Sequence, residues 1–190
     1  MAPKAEDRRV KRTRKLLRDA LLDLMLEKGY EAVTVQTIVD RANVGRSTFY
    51  AHFLDKRDLL ESGHEQLRSA LSREQPAAPG LLAFSLPMFR HAQANHRLYR
   101  SLVVKGGGAA VTEMAQRTIA DLVQGELAAL LPPGATPPVP LELVVLHVVS
   151  SFLALLQWWL DHNMPHQPEE MDRLFRALVM PSLTALGWAP

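Results

Sequence analysis

The sequence predicts an all-α chain of about nine helices, and three observations carry that prediction. Apolar residues return at spacings of three and four through nearly every segment, as Leu17, Ala20, Leu21, Leu24 and Met25 do, which is the period of a helix with one buried face. No stretch of useful length alternates apolar and polar residues as a half-buried strand would. Proline- and glycine-rich breaks, such as "KGGG" at 105–108 and "LPPGATPPVP" at 131–140, separate the periodic segments.

The first helix carries Arg14, Lys15, Arg18, Asp19 and Asp23 away from its apolar face and stops at Gly29, a residue suited to a left-handed cap. Thr34 is the expected N-cap of a short second helix bearing Val35, Ile38 and Val39. "ANVG" breaks it, with Asn43 tolerating left-handed backbone, and a third helix runs from Arg46 to about His52. Asp55 caps a fourth, from Lys56 to about Leu71, before the break "SREQPAAPG". Further helices are expected at about 81–94, 97–105, 110–131, 141–162 and 168–186. The last opens on Pro168, Glu169 and Glu170, which favour a helix N-terminus, and Pro181 should kink it. "LELVVLHVVSSFLALLQWWL" is long enough to raise a membrane question. It contains Glu142, His147 and Gln157, ends at Asp161 and lacks flanking Lys or Arg, so a helix buried in protein is expected, and no membrane partner.

The chain has 190 residues and no cysteine, which excludes disulfides, thiolate metal sites and thiol nucleophiles and fits a reducing, cytoplasmic setting. No signal peptide is read at the N-terminus. Net charge is +2, but residues 1–60 hold 13 Lys and Arg against 9 Asp and Glu, whereas the remainder is acidic by two. The N-terminal end is therefore the expected face for an anionic partner.

Two helices joined by a short turn make a helix-turn-helix, whose second helix enters the major groove of duplex DNA. Ile38, Val39, Val44, Phe49 and Phe53 supply the buried side. Arg46, Ser47, Tyr50 and Ala51 remain outside, with Thr48 and His52 at the flanks. An arginine can pair bidentately with guanine, and hydroxyls and tyrosine serve phosphates or bases. Lys56, at the start of the next helix, is placed to hold a phosphate. "RRVKRTRK" adds charge alone, neutralising phosphates or reaching an adjacent groove.

"TVQTIVDRANVGRSTFYAHFLDKRDLL", residues 34–60, together with "KLLRDALLDLMLEKGYEAV" before it, resembles the DNA-binding module of the TetR (tetracycline repressor-like) regulators. The resemblance implies a dimeric, all-α regulator that usually represses transcription until a small molecule binds its C-terminal domain. It places Thr34, Thr48, Tyr50, His52 and Lys56 at positions that commonly touch DNA, mostly phosphates, and Arg46 and Ser47 at positions nearer the bases. Asn43 stands where glycine is frequent, and Gly45 where Ser or Thr often caps the recognition helix.

The expected division is an arm and helix-turn-helix over 1–55 and a ligand-binding and dimerisation domain over 56–190, with 56–72 as connecting helix. By the same resemblance the helices at about 141–162 and 168–186 pair with their copies, which spaces two recognition helices by about 34–36 Å for a palindromic operator. Candidate pocket residues are Phe84, Met88, His91, Tyr99, Met114, Phe152 and Trp158, and the scarcity of charge around them favours an apolar or aromatic effector. No cofactor is expected. A small all-α enzyme is the rival reading, but no nucleotide loop or G-x-S-x-G elbow is present. His162 and His166 are expected to be solvated rather than metal ligands, because Pro165 and Pro168 break the helix that would align them. An activator, or a regulator without a ligand, would share the fold.

Overall fold

The computed structural model describes residues 5–63, 80–100, 109–130 and 138–188. They form α1 (Ala5–Lys28), α2 (Val35–Ala42), α3 (Arg46–Tyr50), α4 (56–63), α5 (Ser85–Ala94), α6 (His96–Tyr99), α7 (Ala109–Leu130), α8 (Leu141–Asp161) and α9 (Pro168–Ala185). No strand occurs among the described residues. The rest of the fourth helix, the expected helical residues 101–105, "KGGG" and most of "LPPGATPPVP" lie outside them.

The chain packs around two apolar clusters. The N-terminal one gathers Leu17, Leu21, Leu24 and Met25 from α1, Ile38 and Val39 from α2, Phe49 and Phe53, and Leu59 and Leu60 from α4. The helix beginning at Lys56 therefore contributes to the N-terminal core as well as leading out of it. Local chemistry sets the joints between these helices. Gly29 ends α1 at φ +78°, its N–H bonded to the Met25 carbonyl at 3.0 Å. Thr34 and Thr37 form a reciprocal capping box at the start of α2. Asn43 takes φ 52° in the turn, so its departure from glycine costs the geometry nothing visible. Asp55 Oδ1 accepts from the N–H groups of Arg57 and Asp58 at 2.8 Å each and so caps α4.

The second cluster is aromatic at its centre. Phe84 and Phe152 meet edge to face at 5.1 Å, Phe152 and Phe175 at 5.3 Å and Phe89 and Trp159 at 5.5 Å, while Phe89 and Phe152 pack tilted at 4.8 Å. These rings come from or beside α5, α8 and α9, and Ile119, Val123 and Leu127 of α7 close over them. The membrane-length helix is α8. Its inward face, Val144, Val145, Val148, Val149, Phe152, Leu156, Trp159 and Leu160, is buried in this core, as expected of a core helix. α9 runs through Pro181, which leaves the carbonyl four residues back, at Ala177, without an intrahelical donor.

A polar hub sits where α7 and α9 meet the residues leading into α5. Leu82 is held at φ 60°, a left-handed conformation that a branched side chain rarely adopts. Around it, Arg176 of α9 donates to the carbonyls of Leu81 and Leu82 at 2.8 and 2.7 Å, and its Nε to both oxygens of Asp172 at 3.1 and 3.0 Å. The buried Ser85 hydroxyl bridges Asp172 and the Leu82 carbonyl. Glu126 of α7 accepts the N–H groups of Ala83 and Phe84 at 3.2 and 3.0 Å. The hub thus holds the entry to α5 in one conformation from two neighbouring helices.

Candidate DNA-binding surface

Five of the seven expected contact residues, Arg46, Ser47, Thr48, Tyr50 and His52, lie on or just after α3, outside its buried face. Phe49 and Phe53 are fully or almost fully buried, and this fixes which side of the five-residue helix faces out. Arg46, Ser47, Tyr50 and Ala51 are exposed, and Thr48 and His52 are half-buried at the flanks. Tyr50 is 49 % exposed, large for an aromatic ring. Its position is constrained from two sides, edge to face on Phe49 at 5.4 Å and beneath the Arg46 guanidinium at 5.8 Å. Arg46 and Tyr50 therefore form a paired unit one helical turn apart, a cation and a hydroxyl presented together. Gly45 caps α3 without a side-chain hydrogen bond, and a Cβ there would meet only Ser47 and Thr48 hydroxyls at 3.7 Å. The backbone does not require glycine there. What its presence removes is a hydroxyl.

Thr34 is exposed at the other end of the motif, but its hydroxyl is already engaged as acceptor from Thr37 N–H at 3.2 Å. Lys56 is placed differently from expectation. Its ammonium points back into the protein, donating to the carbonyls of Tyr30, Glu31 and Val33 at 3.1, 3.4 and 3.0 Å, and lies 4.4 Å from the centre of the Tyr30 ring. Three protons are committed to three carbonyls, so Lys56 locks the loop between α1 and α2 to the start of α4. The N-terminus of α1 has more structure than its charge density suggests. "RRVKRTRK" is helical, and Arg14 lies over the Phe53 ring at 5.0 Å. The spacing of Val10, Thr13, Arg14 and Leu17 carries that helical signal, masked by the surrounding cations.

The pocket candidates divide. Phe84, Met88, Tyr99 and Phe152 are buried in the C-terminal core. His91 is half-buried, edge to face on Tyr99 at 5.7 Å. Two expectations are corrected. Met114 packs on the N-terminal cluster, because the first turns of α7 reach that domain. Trp158 is 41 % exposed on the outer side of α8, stacked on His162 and His166 at 4.7 and 6.1 Å. The inward position at this level of α8 belongs to its neighbour Trp159, whose Nε1 donates to the His166 carbonyl at 2.9 Å. His166 Nδ1 faces Glu170 at 3.0 Å, and no cluster of metal-ligating side chains occurs among the described residues. A cleft of about 260 Å³ opens beside the polar hub, lined by Leu81, Leu86, Pro87, Arg90, Asp172 and Arg176 among others. None of the seven candidates lines it.

Tyr99 and Glu126 are two titratable groups of the C-terminal domain whose protonation the core disturbs. Burial raises the Tyr99 phenol, whose hydroxyl donates to the Met88 sulfur at 3.9 Å, a weak acceptor. Burial likewise pushes the Glu126 carboxyl up to about 7, against the opposing pull of its backbone N–H donors and Arg176.

The profile described as bacterial regulatory proteins, tetR family, matches residues 17–62, and one described as transcriptional regulator C-terminal region matches residues 81–181. YhgD of Bacillus subtilis, an uncharacterised HTH-type transcriptional regulator, is 24 % identical over 188 residues, covering 90 % of this chain and 97 % of that protein. YxbF of the same organism, also an uncharacterised HTH-type regulator, is 44 % identical over 57 residues, a match that spans 30 % of this chain and only 15 % of that protein. The crystal structure of a TetR transcriptional regulator from Streptococcus agalactiae superposes with a TM-score of 0.69 at 24 % identity, covering 92 % of this chain and 97 % of that one. With the helix-turn-helix geometry, and a C-terminal match that alone spans more than half of its length, the chain belongs to the tetR family of bacterial transcriptional regulators.

Proposed function

We propose that this DNA-binding regulator works as a cytoplasmic dimeric repressor that leaves a palindromic operator when a small apolar or aromatic effector enters its C-terminal domain. The observation that carries the DNA reading is the Arg46–Tyr50 pair, held outward on a helix whose other side is locked by Phe49 and Phe53. In this reading Arg46 and Ser47 meet base edges, and Thr34, Thr48, Tyr50 and His52 the phosphates around them. Lys56 supports the site from behind, through the carbonyls it holds. The division of labour falls near residues 55–56, with the fourth helix connecting the two domains.

The dimer face is supported by the outward stripe of the last two helices. Leu143, Leu146 and Trp158 on α8 and Leu174 and Leu178 on α9 are 41–66 % exposed, with the smaller Ser150, Ala154 and Ala177 exposed beside them. Large apolar side chains around small ones suit two helices meeting two copies at close range. The effector reading is supported by the aromatic core of the C-terminal domain and by Tyr99, whose hydroxyl would exchange a thioether for a better acceptor on a ligand. Coupling to DNA has a physical route. Met114 of α7 packs on the N-terminal core, and Glu113 beside it lies 3.6 Å from Arg57 of α4. An effector that favours one seating of α7 shifts the two DNA-binding domains only by its differential affinity for the two arrangements.

Anisotropy titration against labelled DNA from upstream of its own gene tests this. Saturable binding that resists scrambled competitor and weakens in Arg46→Ala is expected, and a reporter under that operator gives the sign of regulation. Failure to enrich any palindrome from random duplexes would refute the reading.

A further inference from the structure

The cleft beside the polar hub combines an apolar lining with cationic groups. Leu81 and Pro87 are buried and Leu86 is half-buried beside it, and its charged residues are Arg90, Arg176 and Asp172. Asp172 is already satisfied, since its carboxylate accepts from Arg176 Nε and from the Ser85 hydroxyl. The two guanidinium groups have donors to spare. Arg176 gives three of its five N–H bonds to Asp172 and to the carbonyls of Leu81 and Leu82, which leaves two without an acceptor among the described residues. Arg90 gives two of its five to one oxygen of Glu169, at 3.0 and 2.8 Å. Both partners of that pair are 54 % exposed, so it contributes little by itself. Glu169 stays well placed in the first turn of α9 without it. Arg90 can therefore turn to a different anion at small cost.

Two cations against one satisfied carboxylate suit a ligand with a single negative charge. Size narrows the class further. A volume of about 260 Å³ corresponds to about nine water-sized atoms at ~30 Å³ each.

We propose that this cleft is a second small-molecule site, outside the aromatic core, for an organic monocarboxylate with a compact apolar body. Arg90 and Arg176 hold the carboxylate, and Leu81, Leu86 and Pro87 receive the body. Occupancy reaches α7 through the hub. Leu81 and Ala83, which line the cleft, flank the left-handed Leu82, and Glu126 of α7 accepts the Ala83 N–H at 3.2 Å. From Glu126, α7 runs back about 20 Å to Glu113, which lies 3.6 Å from Arg57 of α4. A carboxylate that draws Arg90 and Arg176 toward the cleft thus acts on the segment that α7 grips. This relay rests on the regulator reading of the chain, and the binding step does not.

Benzoate, which matches that size, is the probe, with benzamide as its uncharged counterpart. Each is titrated at constant ionic strength into the full-length protein and followed by amide chemical shifts. Saturable binding of benzoate is expected, with the largest shifts in residues 80–90 and 172–176, and benzamide should bind about tenfold or more weakly. Arg90→Gln should weaken benzoate by a similar factor, and Leu86→Trp, which fills the cleft, should abolish binding, once thermal melts matching the wild type show that both variants fold. Benzamide binding as well as benzoate, equal affinity in Arg90→Gln, or no saturable binding would overturn the proposal. Shifts centred on Phe89, Phe152 and Trp159 that survive both substitutions would put the acid in the aromatic core and also overturn the cleft site. Saturating benzoate should change operator affinity by about fivefold or more in the wild type and leave Arg90→Gln unaffected. Unchanged affinity for a specifically bound operator would refute the relay. Absence of any sequence preference would instead refute the regulator reading, and the chemical-shift titration would still decide the cleft.

Discussion

Replacing Glu126 by glutamine should change how stability depends on pH. The folded protein holds the Glu126 carboxyl at about 7 instead of its ordinary 4.5, chiefly because burial penalises the charged form. A raised carboxyl pKa means that the folded state binds the proton more tightly than the unfolded chain. Its favourable contribution is therefore full below about pH 4.5 and is lost as pH rises through about 7. The unscreened linkage value is about 3 kcal/mol, and partial exposure of the group reduces it to about 1–2 kcal/mol. Glutamine removes the titration but keeps one acceptor oxygen where Glu126 uses its two for the N–H groups of Ala83 and Phe84, at a cost of about 1 kcal/mol at every pH. Relative to wild type, Glu126→Gln should thus be destabilised by about 1 kcal/mol at pH 5 and equal or slightly more stable at pH 8. Urea unfolding at fixed protein concentration measures this. Trp188 provides a fluorescent reporter, since its Nε1 donates to the carbonyl of Leu127, the residue after Glu126. Parallel stability–pH curves for the two proteins would refute the buried-charge reasoning.

Lys56→Met should lower stability by about 2 kcal/mol, since three carbonyls lose a charged donor, while preference between operator and scrambled DNA is retained; denaturation and competition titrations separate the two effects. Leu178→Glu, at a position 66 % exposed on α9, should turn the proposed dimer into a monomer by light scattering and weaken operator binding without lowering helicity. Phe152→Ala removes the ring shared by Phe84, Phe89 and Phe175 and should cost about 3–5 kcal/mol in the same urea assay. Arg46→Ala should weaken specific DNA binding and leave stability within about 0.5 kcal/mol, as for other exposed residues without a structural partner in the core.

Much of the DNA-binding module is legible in the sequence because its determinants are local. Gly29, Thr34, Asn43 and Asp55 act within a turn of where they stand, and Phe49 and Phe53 set the inner side of α3 by spacing alone. The all-α class follows from periodicity over long segments, and the burial of α8 from the polar residues within it and the absence of flanking Lys or Arg. Lys56 is not legible. Its partners lie 23 to 26 residues earlier in the chain, so only the fold brings the ammonium to Tyr30, Glu31 and Val33. The same holds for Trp158 against Trp159. Adjacent indoles have the same composition signal, and the packing of α8 on the C-terminal core decides which one is buried. Position in the chain puts Met114 among the pocket candidates, yet the reach of α7 delivers it to the other domain. The hub of Glu126, Asp172, Arg176 and Ser85 joins residues up to 95 positions apart and leaves no pattern in the sequence beyond the i, i+4 spacing of Asp172 and Arg176. Sequence by itself determined the helices, their caps and the outward residues of the recognition helix, since each depends on neighbours within a turn or two. Tertiary structure alone decided which charges are spent on carbonyls and which aromatic rings face inward, because those choices depend on groups that only folding brings within a few ångströms.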